Sequence, residues 1–184
     1  MAWRIVAVAG LMLFVLSACA SKQTAAPIMA DDQSKEQMSE TSSEEALARQ
    51  QALEEQQRQD EADRRQFESD RNRFNYEDIF FGRNQYRLDE HARRELIWKA
   101  EWLLNNPDIK VLIEGHTDEG GRPEDNLALG ARRAGEVESF FLRSGIERER
   151  LTAISYGKER PVATGKGEEV RFKNRRVRTI IIED

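Results

Sequence analysis

Cysteine occurs once in the 184 residues, at Cys19, and histidine twice, at His91 and His116. A lone cysteine excludes an internal disulfide framework and any cysteine-rich metal site. Two histidines leave little from which to build a histidine-based site, so no metal and no other cofactor is expected. Positive charge is not in excess: 29 Lys and Arg face 34 Asp and Glu, a net charge of −5. That balance does not suit a protein that lives on nucleic-acid phosphates, and no nucleic-acid partner is expected. Nor is any apolar run long enough to span a bilayer. The run from Ile5 to Leu16 reaches about 18 Å as a helix, against a hydrocarbon core of about 30 Å.

What the chain does have is charge, at 34% of its residues, above the usual share of roughly 25%. It is spread unevenly. Residues 1–19 carry only Arg4, residues 20–76 carry 13 acidic and 8 basic side chains, and residues 77–184 carry 21 and 20. The acidity sits in the middle of the chain and the last part is nearly neutral.

Arg4 followed by a short apolar run fits an export signal better than a membrane-spanning helix. The run ends in Leu16-Ser17-Ala18-Cys19, which resembles the lipobox of bacterial lipoproteins. The resemblance implies a signal peptide at 1–18, cut before Cys19, with diacylglycerol on the thiol. A plain secretory signal with a chance cysteine is the alternative. It leaves unexplained why the one cysteine stands at this spot. More than one acyl chain is needed for stable anchoring, and a triacylated cysteine meets that condition. Ala20 follows the cysteine where Asp would imply inner-membrane retention. The expected location is therefore the periplasmic face of the outer membrane.

Residues 19–75 form a polar tether. Residues 20–45 are too rich in Ser, Thr, Ala, Gln and Glu to bury much apolar surface. Residues 44–75 turn to Glu, Arg, Gln and Ala, which tolerate helix. Ala46, Leu53, Phe67 and Phe74 follow a spacing of seven, with Asp60 at the missing step. The second seam position of a coiled coil is not apolar, so a solvated, partly helical tether is the preferred reading.

Residues 76–184 read as a folded module. Asp78 to Gly82 is a short strand. Asp89 caps a helix that runs to Asn106 and stops before Pro107, with Leu96, Ile97, Ala100, Leu103 and Leu104 as its core stripe. Trp98 and Trp102 lie on the opposite side. With His91 they form either a partner-binding surface or a face covered by loops or tether. Ile109 to Glu114 is a second strand. A second helix spans about Asn126 to Arg143, burying Leu127, Ala131, Ala134, Val137 and Phe141. Leu151 to Tyr156 and Arg176 to Glu183 complete four strands. The order βαβαβ plus a final strand predicts an α+β fold, helices layered on a sheet.

Gly115-His116-Thr117-Asp118 leaves the second strand, and Gly120-Gly121 forces a tight turn. Arg133 projects from the flank of the second helix. A carboxylate and a guanidinium facing one cleft suit a ligand bearing both ammonium and carboxylate. A direct Asp118–Arg133 salt bridge that only pins the loop is the other reading of the spacing.

The run Thr117-Asp118-x-x-Gly121-x4-Asn126-x-x-Leu129-x3-Arg133-Ala134-x-x-Val137 resembles the signature of OmpA-like peptidoglycan-binding domains. Val111 to Asp118, Leu129 to Ala134, Ser155 to Pro161 and Asn174 to Val177 are similar to the peptidoglycan-associated lipoprotein branch of that family. The resemblance covers about residues 76–183 and implies a two-layer sandwich with a mixed four-stranded sheet. It implies as ligand the zwitterionic free end of meso-diaminopimelate in the peptidoglycan stem peptide. Asp118 and Arg133 would be its main contacts, with Asn126, Thr117, Glu119 and Asn84 beside them. It implies a tether between outer membrane and cell wall, with Tol proteins as possible partners in envelope integrity and division. A cell-wall-binding lipoprotein outside the Tol system, serving an appendage or secretion machine, is the alternative. Two positions depart from the pattern. Arg83-Asn84 replaces an aromatic-Asp pair, and Gly120 stands where arginine is usual; Arg83 offers a replacement charge from the opposite wall.

Hydrolysis is not expected. His116, Asp118 and Glu119 lie together, but there is no second histidine nearby in sequence and no serine elbow motif. For the anchor, Cys19→Ala is expected to leave an uncleaved or soluble form without metabolic palmitate label. Label that persists in this variant would refute lipidation at Cys19.

Overall fold

A computed structural model describes residues 33–182, with side chains from residue 43 onward. The expected signal peptide and Cys19 lie outside the described residues. The chain divides into a unit ending at Leu53 and a unit beginning at Glu54. In the first, the described residues are the start of helix α1 (Gln33–Tyr76), with exposed side chains from residue 43. The sequence left the tether open between disorder and partial helix; the structure gives helix from Gln33. Its polar surface carries pairs one turn apart, among them Arg49–Glu45 at 3.7 Å and Arg65–Glu61 at 3.8 Å. Such pairs stabilise a solvated helix by a few tenths of a kcal/mol each.

The second unit holds the rest of α1, then β1 (Ile79–Phe80), α2 (Glu90–Asn105), β2 (Lys110–His116), α3 (Pro123–Arg143), a 3-10 turn, β3 (Leu151–Gly157), α4 (Glu168–Asn174) and β4 (Arg176–Ile182). The four strands lie in the order β1-β4-β2-β3. β2 is parallel to β3 and antiparallel to β4, and β1 is antiparallel to β4. The sheet is therefore mixed, and the α+β fold expected from the element order is the one observed.

Local chemistry explains the boundaries. Asp89 caps α2 by accepting the Ala92 amide at 2.8 Å, as an N-cap carboxylate should. At the far end the Asn106 amide side chain donates to the Trp102 carbonyl at 2.8 Å. α3 begins three residues earlier than the Asn126 the periodicity suggested, because Pro123 suits the first helical position. Along β2, Val111 and Ile113 are fully buried, as alternation on a sheet with one helix-covered face requires. α3 crosses β2 at backbone contact. A Cβ on Gly115 would overlap the Gly130 carbonyl, and one on Gly130 would overlap the Ser155 hydroxyl.

The core joins Leu96, Ala100 and Leu103 of α2 to Val111, Ile113, Ala134, Val137, Phe141 and Val177. It also recruits Phe74, two residues ahead of the module start that the sequence suggested, at Tyr76. Four expected core residues lie outside, one of them Ala131 on the exposed side of α3. Ile97 is 49% exposed, Leu104 50% and Leu127 51%. The reason is visible on α2. Its other flank is covered by the end of α1, where Phe67 and Phe74 pack on Trp102 at 5.8 and 5.2 Å between ring centres. The Arg73 guanidinium lies 3.9 Å from the centre of the Trp98 ring. The tryptophan face is thus covered by the chain itself, and the buried arc of α2 is rotated away from Ile97 and Leu104. Leu127 sits on the outer side of the first turns of α3.

Phe74→Ala should lower stability by about 3–5 kcal/mol, the usual cost of truncating a buried phenylalanine. Tyr76→Ala, 72% exposed, should change it by under about 0.5 kcal/mol. Urea unfolding of both variants checks the contrast; equal effects would mean that α1 does not dock as described.

Candidate functional site

β2 delivers the motif to one end of the sheet. The Thr117 amide donates to the Gly157 carbonyl at 2.8 Å, tying the strand's exit to the end of β3. Thr117 is buried, and its hydroxyl has no partner among the described residues. Asp118 follows, with 17% of its side chain exposed. Its Oδ1 accepts from the Gly120 amide at 3.3 Å and its Oδ2 from Arg175 Nη1 at 3.2 Å. Gly121 then takes φ +84, a left-handed conformation that glycine adopts without strain. Buried Asn126, in the first turns of α3, donates to the Gly120 carbonyl at 2.6 Å and closes the turn.

Arg133 is fully buried. Its Nη1 donates to the His116 carbonyl at 2.7 Å, its Nε to Gln85 O at 2.8 Å and its Nη2 to Gly82 O at 3.1 Å. The guanidinium carbon lies 5.1 Å from the centre of the Phe81 ring. Burial pushes its pKa down to about 10, so it stays charged at neutral pH. The Asp118 carboxylate raises that value and Arg175 lowers it, so the three charges feel one another. Of the readings the spacing allowed, a direct Asp118–Arg133 salt bridge is not the one observed. The ion pair to Asp118 comes from Arg175, and Arg133 pins the β1–α2 loop through carbonyls.

Asn84 lies in that loop, between the two carbonyls Arg133 holds. It is exposed, at φ +55, a region in which asparagine is enriched. It lines a cleft of about 380 Å³ with Tyr86, Leu88 and Asp89. Glu119 is exposed and accepts from Arg171 Nε at 2.9 Å, and that hydrogen bond holds its carboxyl below the usual range. Thr117, Asp118, Asn126 and Arg133 therefore meet at one sheet end. Asn84 sits across the Arg133 clamp, and Glu119 is turned toward α4.

Arg175 is the site residue that sequence reasoning left without a role. It is 4% exposed. Its Nε donates to Phe81 O at 3.2 Å, its Nη1 to Asp118 and its Nη2 to Glu168 Oε1 at 2.5 Å. The signal was in the register. Gly115 of β2 faces Val177 of β4, so two antiparallel steps further the chain brings 175 opposite 117. The helix that carries Glu168 and Arg171 went unseen because its apolar residues, Val170 and Phe172, show no helical repeat and Phe172 is 45% exposed. His116 is 1% exposed and stacks on Tyr156 at 5.8 Å. Burial, with Arg176, Arg160 and Arg178 nearby, pushes its pKa down to about 3, so it is neutral.

Arg133, Arg175 and Arg171 thus stand against Asp118, Glu119 and Glu168. Such a balanced cluster can hold a group that carries both charges. The OmpA family model matches residues 80–175, a little over half of the chain and every residue of this cluster. The chain belongs to the OmpA family. It is 40% identical over 103 residues to the peptidoglycan-associated lipoprotein of Agrobacterium fabrum, covering 56% of this chain and 58% of that one. It is 40% identical over 101 residues to the protein of that name from Haemophilus influenzae, covering 55% and 66%. The match thus spans less than two thirds of these relatives. The crystal structure of the Burkholderia pseudomallei peptidoglycan-associated lipoprotein superposes with a TM-score of 0.56 at 34% identity, covering 57% of this chain and 89% of that one. The C-terminal domain of Helicobacter pylori MotB, at 22% identity and a TM-score of 0.55, shares the fold.

Arg133→Ala should cost roughly 3 kcal/mol or more without any ligand, at about 1–3 kcal/mol for each buried acceptor left unpaired. Arg133→Lys should cost less, because an ammonium still reaches part of the carbonyl set. Urea unfolding checks this. An unchanged midpoint in Arg133→Ala would mean that Arg133 is not the clamp described.

Proposed function

We propose that this OmpA-family protein is an outer-membrane lipoprotein that grips peptidoglycan without a covalent bond and holds the membrane to the cell wall. The ligand is the free end of meso-diaminopimelate, with its ammonium on Asp118 and its carboxylate facing the guanidinium side of the cluster. The single observation that carries this is the partly exposed Asp118 carboxylate, set beside two buried guanidinium groups at one end of the sheet. An ammonium and a carboxylate on one carbon match that arrangement, and either charge alone leaves half of it unanswered.

Thr117 and Asn126 fix the turn that presents Asp118. Glu119 and Asn84 flank it and face solvent. The relatives' shared name, peptidoglycan-associated lipoprotein, supports both the ligand and an anchor at Cys19 in this proposal. The polar α1 gives the anchor a tether. Partnership with Tol proteins belongs to the same proposal, which assigns no catalytic residue.

The experiment is sedimentation of the protein with diaminopimelate-type and with lysine-type peptidoglycan. Binding is expected to the first alone, with no release of soluble fragments. Asp118→Asn keeps the shape and removes one charge-assisted hydrogen bond. At about 1.5–3 kcal/mol that is roughly a 10- to 150-fold weaker affinity. Asn84→Asp should tighten binding to the ammonium, most at low salt. Folded Asp118→Asn that binds like wild type would remove the site, and equal binding to both wall types would remove the ligand.

A further inference from the structure

Lys99 stands in the middle of α2 and is fully buried. Its Nζ donates to the Phe74 carbonyl at 2.5 Å and to Thr179 Oγ1 at 2.8 Å. The Thr179 hydroxyl donates to the same Phe74 carbonyl at 3.1 Å. Lys99 makes no ion pair among the described residues. The charged groups that act on it are Asp78 and Glu77 from the approach to β1, Arg73 from the end of α1, and Glu95 one turn earlier on α2. Asp78 is itself held by Arg176 Nε at 3.0 Å, with the charge of Arg178 also acting on it. β4 offers Lys99 only the Thr179 hydroxyl.

Counting donors shows which form of Lys99 the site accepts. A neutral amine has two N–H groups, and two oxygens receive them. The third N–H of an ammonium finds no oxygen, only the face of the Phe74 ring, whose centre is 4.7 Å away. A buried cation with one donor unanswered and no counter-ion in contact is costly.

What seals Lys99 from water is the end of α1. Phe74 is fully buried over it, and Asn75 Oδ1 accepts the Ile181 amide at 2.9 Å. Arg73 reaches Glu95 at 3.2 Å. We infer that residues 67–76 are a pH-tuned clasp: they hold the Trp98–Trp102 face of α2 most firmly when Lys99 is neutral, and loosen as it takes up a proton. Release adds these ten residues to the free tether. The inference does not depend on what binds at Asp118.

The direction follows from proton counting. Burial lowers the pKa of Lys99 to about 7 when the clasp is closed. Open and hydrated, the amine returns to about 10.4. Between these values the closed form binds fewer protons than the open one. Closure therefore strengthens as pH rises above 7, approaching about tenfold per pH unit, and levels off at its weakest below 7.

Amide hydrogen exchange of residues 70–77 in the full-length protein, corrected for the intrinsic effect of pH, reads the closure. Protection should rise about 15-fold from pH 7 to 8.5, nearing tenfold per unit at the upper end, and the rise should vanish in Lys99→Met. Carbon-13 titration of the Lys99 ε-carbon in the wild-type protein should show a midpoint near 7, and it decides the matter if Lys99→Met fails to fold. A midpoint near the ordinary value, protection independent of pH, or an unchanged slope in Lys99→Met would each overturn the inference.

Discussion

Burying the Arg133 guanidinium removes a cation from water, at a cost of several kcal/mol unless its charge and its N–H groups are met. Here three carbonyls meet them, and they come from two segments. Gly82 and Gln85 belong to the β1–α2 loop, and His116 ends β2. The side chain itself comes from α3. One residue therefore sets the spacing between the loop, the end of β2 and the helix behind them. Asp118 is two residues from one of those carbonyls and Asn84 is next to another. Their relative placement is inherited from the clamp rather than made by contact between them.

Charge at the site is arranged in layers. The two arginines that are buried, Arg133 and Arg175, are spent largely on holding backbone and carboxylates in place. The groups left to solvent are the free edge of Asp118, Glu119 and the amide of Asn84. This fits a site that recognises a small charged end rather than a long surface. It also explains how the cluster accommodates Gly120. The loop is already fixed from both sides, by Asn126 to Gly120 O and by Lys158 to Gly121 O at 3.0 Å.

Much of the fold was legible because the strands carry alternating or continuous apolar runs and the helices carry caps and breakers. Asp89, Pro107 and Gly115 mark boundaries that the structure places within a few residues. The motif turn was legible for the same reason, since Gly121 and Asn126 have local jobs. What was not legible depends on contacts distant in sequence. Phe74 and Lys99 are 25 positions apart, and Lys99 and Thr179 are 80 apart. A lysine in a helix reads as solvated until one sees what covers it. Arg175 reads as the loop residue ahead of a strand until the pairing of β4 with β2 places it beside Asp118. Ile97 and Leu104 read as core because apolar periodicity shows where a helix is greasy, and says nothing of how many neighbours share its surface.

The contact between Gly115 and Gly130 bears on how such a protein can change over generations. Neither position has room for a methyl group, so the helix that carries Asn126 and Arg133 cannot be shifted against β2 by a single substitution that leaves the fold intact. The seating of α3 on β2 is closed to drift. Arg83, Asn84, Glu119 and Gly120 are exposed, where a larger side chain meets solvent rather than packed backbone. Variation is thereby channelled to the rim, and preference among related ligands can be retuned there while the geometry behind it is handed on unaltered.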